Sequence, residues 1–340
     1  MMRTYLLLSA ALCSITTTLA HADSVSDFYQ NRTVSLIVGF PPGGGYDANM
    51  RVLSRHIGKR IPGEPTITVS NMPGAGSLTA ANFLARSAPR DGTALAMFSS
   101  SAAMEAIFQN KAATFDPQKF SWLGSMSQEV TFCGVWQGPN IPSTFADMMK
   151  TKTVFGSGGT AAITYQHPMV LRNVLGANVE AVTGYAGTRD INLAMNRGEV
   201  NGSCGLFESS ISSQWGNEVK TGQLKLVIQM GAKRTDSFGP IPSVYDFAKS
   251  DEQRAILDVH FKQLLLARPV VAPPDVPTDR LAALRKAFVA TLNDPTFRAD
   301  SDKLGIDIDY VSPEAIQELL ASLAAMSPDI RQKALAVIGR

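Results

Sequence analysis

The chain has 340 residues, 45% of them hydrophobic, with 31 Lys and Arg against 29 Asp and Glu and a formal net charge of +2. That balance, with no long block of either sign, offers no electrostatic footprint for nucleic acid or for an anionic membrane surface. The length exceeds what one hydrophobic core usually organises, so two lobes are expected.

Met1-Met2-Arg3 leads into an apolar run from Tyr5 to Leu12, a Ser/Thr-rich extension and then Ala20-His21-Ala22. A charged start, a short apolar run and an Ala-x-Ala end describe a secretory signal peptide over residues 1–22, cleaved near Ala22. Cys13 after Ala11-Leu12 also suggests a lipoprotein signal, but the downstream Ala-x-Ala site fits ordinary cleavage better. The apolar run is too short for a permanent spanning helix and nothing comparable recurs, so no direct membrane insertion is expected after cleavage. Loss of 22 residues, Arg3 and Cys13 among them, leaves 318 of the 340 in a periplasmic chain. Its remaining cysteines, Cys133 and Cys204, read either as one disulfide or as two buried free thiols, and a domain of this size needs no staple.

Thr33 to Val38 is a short apolar, β-branched run that stops at Gly39-Phe40-Pro41-Pro42-Gly43-Gly44-Gly45, a buried strand entering a loop. From Asp47, the apolar residues Met50, Leu53, Ile57 and Ile61 recur at helical spacing, with Asp47 expected as N-cap and as partner of Arg51 one turn on. The alternation continues with a strand over 66–70, a turn over 72–76, a helix over 78–87 and a strand over 94–98. Strands separated by helices predict a parallel α/β sheet. A second series follows Trp122, with strands near 130–136, 153–155, 179–182 and 224–228 and helices near 163–175 and 189–197. Gln263 to Ala267 reads as a further strand, and after the Pro-rich stretch to Pro277 the tail reads as α-helical, with helices opening near Thr278 and Pro313.

Two loops stand out for chemistry. Gly43-Gly44-Gly45-Tyr46-Asp47 lies between a strand and a helix, where glycines let the backbone approach a ligand and helix-start N–H groups point outward unpaired. Such a turn alone reads equally as a tight turn, and it matches neither a P-loop nor the dinucleotide fingerprint. Phe155-Gly156-Ser157-Gly158-Gly159-Thr160 repeats the logic in the second half, with hydroxyls added. Facing one another across a cleft, the pair would share one anionic ligand. Ser99 and Ser100 with Ser101, and Gly184-Tyr185-Ala186-Gly187-Thr188, are candidates to complete the lining, although each is also ordinary turn chemistry. A carboxylate at Asp47 would repel an anion, so Asp47 reads more as support for the loop than as a ligand contact.

Catalytic and metal patterns are lacking: His56, His167 and His260 form no metal-spaced cluster, and Phe155 occupies the first glycine position of what would be a nucleophile elbow at Ser157. No cofactor is expected.

The chain resembles the tripartite tricarboxylate transporter receptors, the Bug family of extracytoplasmic solute receptors. The resemblance rests on Leu36-Ile37-Val38-Gly39-Phe40-Pro41-Pro42-Gly43-Gly44-Gly45-Tyr46-Asp47 with Arg51, on Val69-Ser70-Asn71-Met72-Pro73-Gly74-Ala75-Gly76, and on Ala88-Pro89-Arg90-Asp91-Gly92-Thr93. It implies a periplasmic-binding-protein type II fold, two α/β lobes joined by two crossing strands near 125–130 and 262–267, with lobe 1 over 23–125 and 268–340 and lobe 2 over 126–267. It implies a ligand carboxylate held by backbone N–H groups and ordered waters at Pro42 to Asp47 and at Ser157 to Thr160. Departures are a looser second loop, where Thr164 or Thr160 would supply the hydroxyl, Val182-Thr183-Gly184-Tyr185-Ala186-Gly187 in a later motif, Glu208 as the acidic residue after the next strand, and Pro242-Ser243-Val244-Tyr245-Asp246. The implied function is capture of a small organic carboxylate for membrane permease subunits, without covalent chemistry. Signalling to a sensor kinase is the alternative reading, and a secreted hydrolase is disfavoured.

Overall fold

A computed structural model describes residues 20–340, with side chains from Val25 onward, so Cys13 and all but the last three residues of the expected signal segment lie outside the described residues. The chain opens with α1 (Ala20–Tyr29), β1 (Thr33–Val38), α2 (Gly45–Ile57), β2 (Thr66–Asn71), α3 (Leu78–Arg86), β3 (Ala94–Met97), α4 (Ser100–Ile107) and β4 (Ser121–Ser125). A second series holds β5 (Thr131–Trp136), α5 (Phe145–Met148), β6 (Thr153–Ser157), α6 (Ile163–Leu175), β7 (Val179–Thr183), α7 (Thr188–Asn196), β8 (Gly202–Phe207), α8 (Glu208–Gln214), α9 (Gly216–Lys220) and β9 (Leu224–Met230). It closes with α10 (Asp251–Phe261), β10 (Pro269–Ala272), α11 (Thr278–Leu292), α12 (Pro295–Asp302), α13 (Pro313–Ala324) and α14 (Pro328–Val337).

Ten strands make two sheets of five, ordered β2-β1-β3-β10-β4 and β7-β6-β8-β5-β9. In each, four strands run in one direction and the fourth in order, β10 or β5, runs antiparallel between its two neighbours. The alternation of strands and helices thus produces the two-lobed α/β architecture of a type II periplasmic binding protein. Central strands are buried on both faces, which is why β1 and β3 read as continuous apolar runs. On α2 the buried Met50, Leu53 and Ile57 face the sheet while Arg51 and Arg55 face water.

The lobes meet along two adjacent crossings. Between β4 and β5 the Met126 N–H donates to the Arg268 carbonyl (2.9 Å) and the Glu129 N–H to the Leu264 carbonyl (3.3 Å). The return segment is not the strand expected over Gln263 to Ala267: Lys262–Leu266 is a 3-10 helix and the strand starts at Pro269. An apolar run of leucines carries no period that separates strand from helix, whereas Val270 and Val271 are β-branched and Pro269 takes the first strand position, which needs no donor there. The last helix, α14, packs against α6 and α10.

β8 was not legible in the sequence because it is built of small residues, Gly202-Ser203-Cys204-Gly205. A Cβ at Gly202 would meet the Gly134 backbone of β5, and Gly205 has a positive φ of 71° where the pairing with β5 shifts register. In this tight pair Cys133 and Cys204 form a disulfide, which decides against two free thiols.

Candidate functional site

The carboxyl ends of β1, β3, β6 and β8 point at a single cleft of about 790 Å³ between the sheets. Its lining takes Phe40 to Tyr46 (Gly43 excepted) and Pro73 to Ser77 from one side, and Gly158, Ala162 to Thr164 and Gly184 to Ile191 from the other. Open α/β sheets bind ligands at this end because the strand-to-helix loops there carry unpaired N–H groups.

Three helices begin at the cleft with no side chain capping them: α2 at Gly44, α6 at Ala162 and α7 at Gly187. The N–H groups of Gly45 and Tyr46, of Ile163 and Thr164, and of Thr188 and Arg189 find no protein acceptor among the described residues. An uncapped helix start leaves up to four donors unsatisfied and carries partial positive charge. Three of them converging on one cavity form a field for an anion, and Arg189 adds the one cation in the lining. Its Nη1 lies 3.2 Å from where a Cβ of Gly43 would be, and it makes no ion pair among the described residues. A cation in the first turn of a helix opposes the dipole, so its position there needs another reason.

Asp47 is not the N-cap expected from the sequence. It stands in the first turn, where its carboxylate accepts the Gly43 N–H, Asn71 Nδ2 and Arg51 Nε, each at 2.9 Å. Burial works against its charge, but the hydrogen bonds from Arg51, Gly43 and Asn71 outweigh that and hold its pKa below the ordinary aspartate value. Asp47 is 3% exposed and lies behind the loop, so it shapes the cradle without reaching the cleft.

Of the residues singled out in the sequence, Pro42, Gly44, Gly45, Tyr46, Ser99, Gly158, Thr164, Tyr185, Gly187 and Thr188 line the cleft. Gly43, Asp47, Ser100, Ser157, Gly159, Thr160 and Glu208 do not. Ser157 is buried with its Oγ 3.4 Å from Thr164 Oγ1, so Thr164 presents the hydroxyl at this loop, while Thr160 is exposed on the outside of the turn. Ser100 is buried at the first position of α4, and the Glu208 carboxylate accepts the Thr235 hydroxyl (2.9 Å) away from the cavity, its pKa raised by burial.

Several lining residues are not among those the sequence places at the site. Gly74, Ala75, Gly76 and Ser77 all have positive φ (142°, 48°, 64° and 71°), and a Cβ on Gly76 would lie 2.8 Å from the Ala162 N–H group of the facing lobe. Left-handed backbone at Ala75 and Ser77 is the kind of strain that collects at binding sites. Behind the floor lies Arg268, wholly buried, with Nη2 donating to Ser209 Oγ (2.6 Å) and Ser210 Oγ (3.1 Å). Its Nε is 3.1 Å from Glu129 Oε1 but off the hydrogen-bond axis, and its guanidinium sits 4.3 Å from the ring centres of both Tyr46 and Phe207. A lone arginine between the apolar Leu266-Ala267 and Pro269-Val270 was the available signal, since a cation in such a run must be exposed or paired.

The family model for the tripartite tricarboxylate transporter family receptor matches residues 50–334. The chain belongs to this family. The match begins after the glycine loop, so membership rests on the body of the fold and not on Gly43 to Asp47. A curated relative from Cupriavidus necator, described as a UPF0065 protein in the gbd 5' region, is 22% identical over 337 residues, 96% of this chain and 94% of the relative. Among solved structures, the periplasmic binding protein BugD superposes with a TM-score of 0.72 at 19% identity, covering 91% of this chain and 98% of BugD. MatC from Rhodopseudomonas palustris with bound malate gives a TM-score of 0.67 at 19% identity over 90% of this chain and 99% of MatC. At those identities the likeness shows the fold.

Proposed function

We propose that this chain is a periplasmic receptor of a tripartite tricarboxylate-type transporter, capturing a small organic carboxylate in the cleft and passing it to the membrane permease subunits. The observation that carries the reading is the convergence of three uncapped helix starts, with Arg189, on one cavity between the lobes. Such fixed dipoles act more strongly in a cleft that excludes water than in bulk solvent. Malate in the related MatC supports the ligand class.

The lobes, with boundaries near residues 125 and 267 and the signal peptide removed near Ala22, close on the ligand by rotation about the paired crossings. Close contacts between the jaws fit this motion. Thr188 Oγ1 and the Arg189 guanidinium come against Gly44 and Gly43, and Pro41 packs on Gly187. No chemistry is required of the site: the hydrogen-bond partner of Ser157 is Thr164, not a histidine. Isothermal titration of the purified mature chain against a panel of carboxylates tests the reading. It predicts saturable binding near one ligand per chain with the ligand recovered intact, and consumption of a carboxylate or ester without binding would contradict it.

A further inference from the structure

Glu105 is a carboxylate with no exposed surface that draws its partners from both lobes. It sits on α4, which follows β3 of the first sheet, and the Asn110 side chain just beyond that helix donates to its Oε2 (2.5 Å). The other two donors come from across the interface. Gln166 of α6, wholly buried where that helix packs on the second sheet, donates its Nε2 to Glu105 Oε1 (2.9 Å), and Arg340 Nη1 pairs with Oε2. Gln166 Oε1 is left without a partner. Reversed, the amide would set its oxygen against the carboxylate.

Arg340 reaches Glu105 by way of a strap. α13 packs on β4 of the first sheet, and α14 then crosses to the other lobe and packs on α6 and α10, with Ala334, Val337 and Ile338 buried. Asn173 of α6 donates to the Val337 carbonyl (2.5 Å), and Lys333 Nζ pairs with Glu252 Oε2 of α10 (3.2 Å), which fastens the strap to that lobe. From there the Arg340 side chain, 22% exposed, returns to the first lobe and neutralises Glu105. Gln166 stands one turn along α6 from Ala162, whose N–H group lies against Gly76 where the jaws meet. A rotation that parts those loops therefore also draws Gln166 and Arg340 away from Glu105. A carboxylate buried without its cation is strongly unfavourable, and opening to water relieves it.

We infer that Glu105, Arg340 and Gln166 form a latch that holds the two lobes closed, so that Arg340 sets the balance of open and closed forms from outside the ligand cleft. The latch rests on the closure of the lobes read above, and not on which carboxylate is bound. The test is the distance between spin labels at Lys59→Cys and Lys220→Cys, exposed positions on opposite lobes, measured by double electron–electron resonance on the ligand-free mature chain. Cys133 and Cys204 are tied in a disulfide and take no label. The unmutated latch is expected to give a populated short-distance form, and Arg340→Ala to lower the ratio of short- to long-distance forms about tenfold or more. Adding Glu105→Gln to Arg340→Ala should return most of that ratio, because no unpaired charge then remains in the closed form. A chain wholly open with its latch intact, an Arg340→Ala ratio unchanged whatever its melting temperature, or a double variant as open as Arg340→Ala overturns the inference. So does an Arg340→Ala that fails to fold where the double variant folds, since the pair then serves folding and not closure. Opening on Arg340→Ala in a protein that binds no carboxylate refutes the ligand reading and leaves the latch standing.

Discussion

Replacing Gly45 by alanine isolates closure from folding. A Cβ at Gly45 would run into Ser210 Oγ of the facing lobe and lie 3.1 Å from both Ser210 Cβ and Arg268 Nη2. Overpacking of this kind costs about 1–3 kcal/mol, here borne only by the closed form, so affinity should fall about fivefold to 150-fold. The backbone of Gly45 is ordinary helix, and alanine in a helix is favoured over glycine by up to about 1 kcal/mol. The ligand-free protein should therefore melt at an unchanged or higher temperature. Titration calorimetry and thermal unfolding of Gly45→Ala, Ser210→Gly and the double variant complete a cycle in which Ser210→Gly restores most of the lost affinity. Wild-type affinity in Gly45→Ala, or a loss that Ser210→Gly fails to relieve, would refute the contact between jaws as the determinant of capture.

Other expectations follow from single features. Arg189→Gln should lower carboxylate affinity about tenfold and flatten its salt dependence, read by titration at two ionic strengths, because the lining loses its one cation. Loss of the Cys133–Cys204 bond, which spans 71 residues, should reduce unfolding free energy by about 4 kcal/mol in chain-entropy terms, measured by denaturant titration of a Cys133→Ser/Cys204→Ser variant. Burial lowers the pKa of His167 to about 3 and of His260 to about 4, so both stay neutral in the folded chain and protonate first in the unfolded one. Stability should thus fall as pH drops below 6.5, by roughly 1.4 kcal/mol per pH unit for each histidine until its folded pKa is reached, and His260→Leu should make that slope shallower.

The sequence carried the periodic features well. Continuous β-branched runs at Thr33 to Val38 and the spacing of Met50, Leu53 and Ile57 give β1 and α2, and Ile163–Leu175 is a helix over the range its pattern predicts. What it hid was decided by partners distant in the chain. β8 is a strand because Gly202 lets it press on β5, and a glycine reads locally as a turn. The run of leucines before Arg268 is helical because Leu264 and Arg268 carbonyls must meet the other crossing. At the site, the glycine loop and its supporting Asp47–Arg51 pair were visible, while the Tyr46–Arg268–Phe207 stack joins residues from three separate stretches and leaves no local pattern.

The central claim is that helix-start amides take the ligand's carboxylate in this cleft. Amide-resolved NMR titration of the mature, isotope-labelled chain with a carboxylate that calorimetry shows to bind tests it most directly. The account predicts saturable shifts centred on Gly44 to Tyr46, Ile163 to Thr164 and Thr188 to Arg189, with the ligand unchanged at the end. Saturation with shifts confined to surfaces away from the cleft would contradict it.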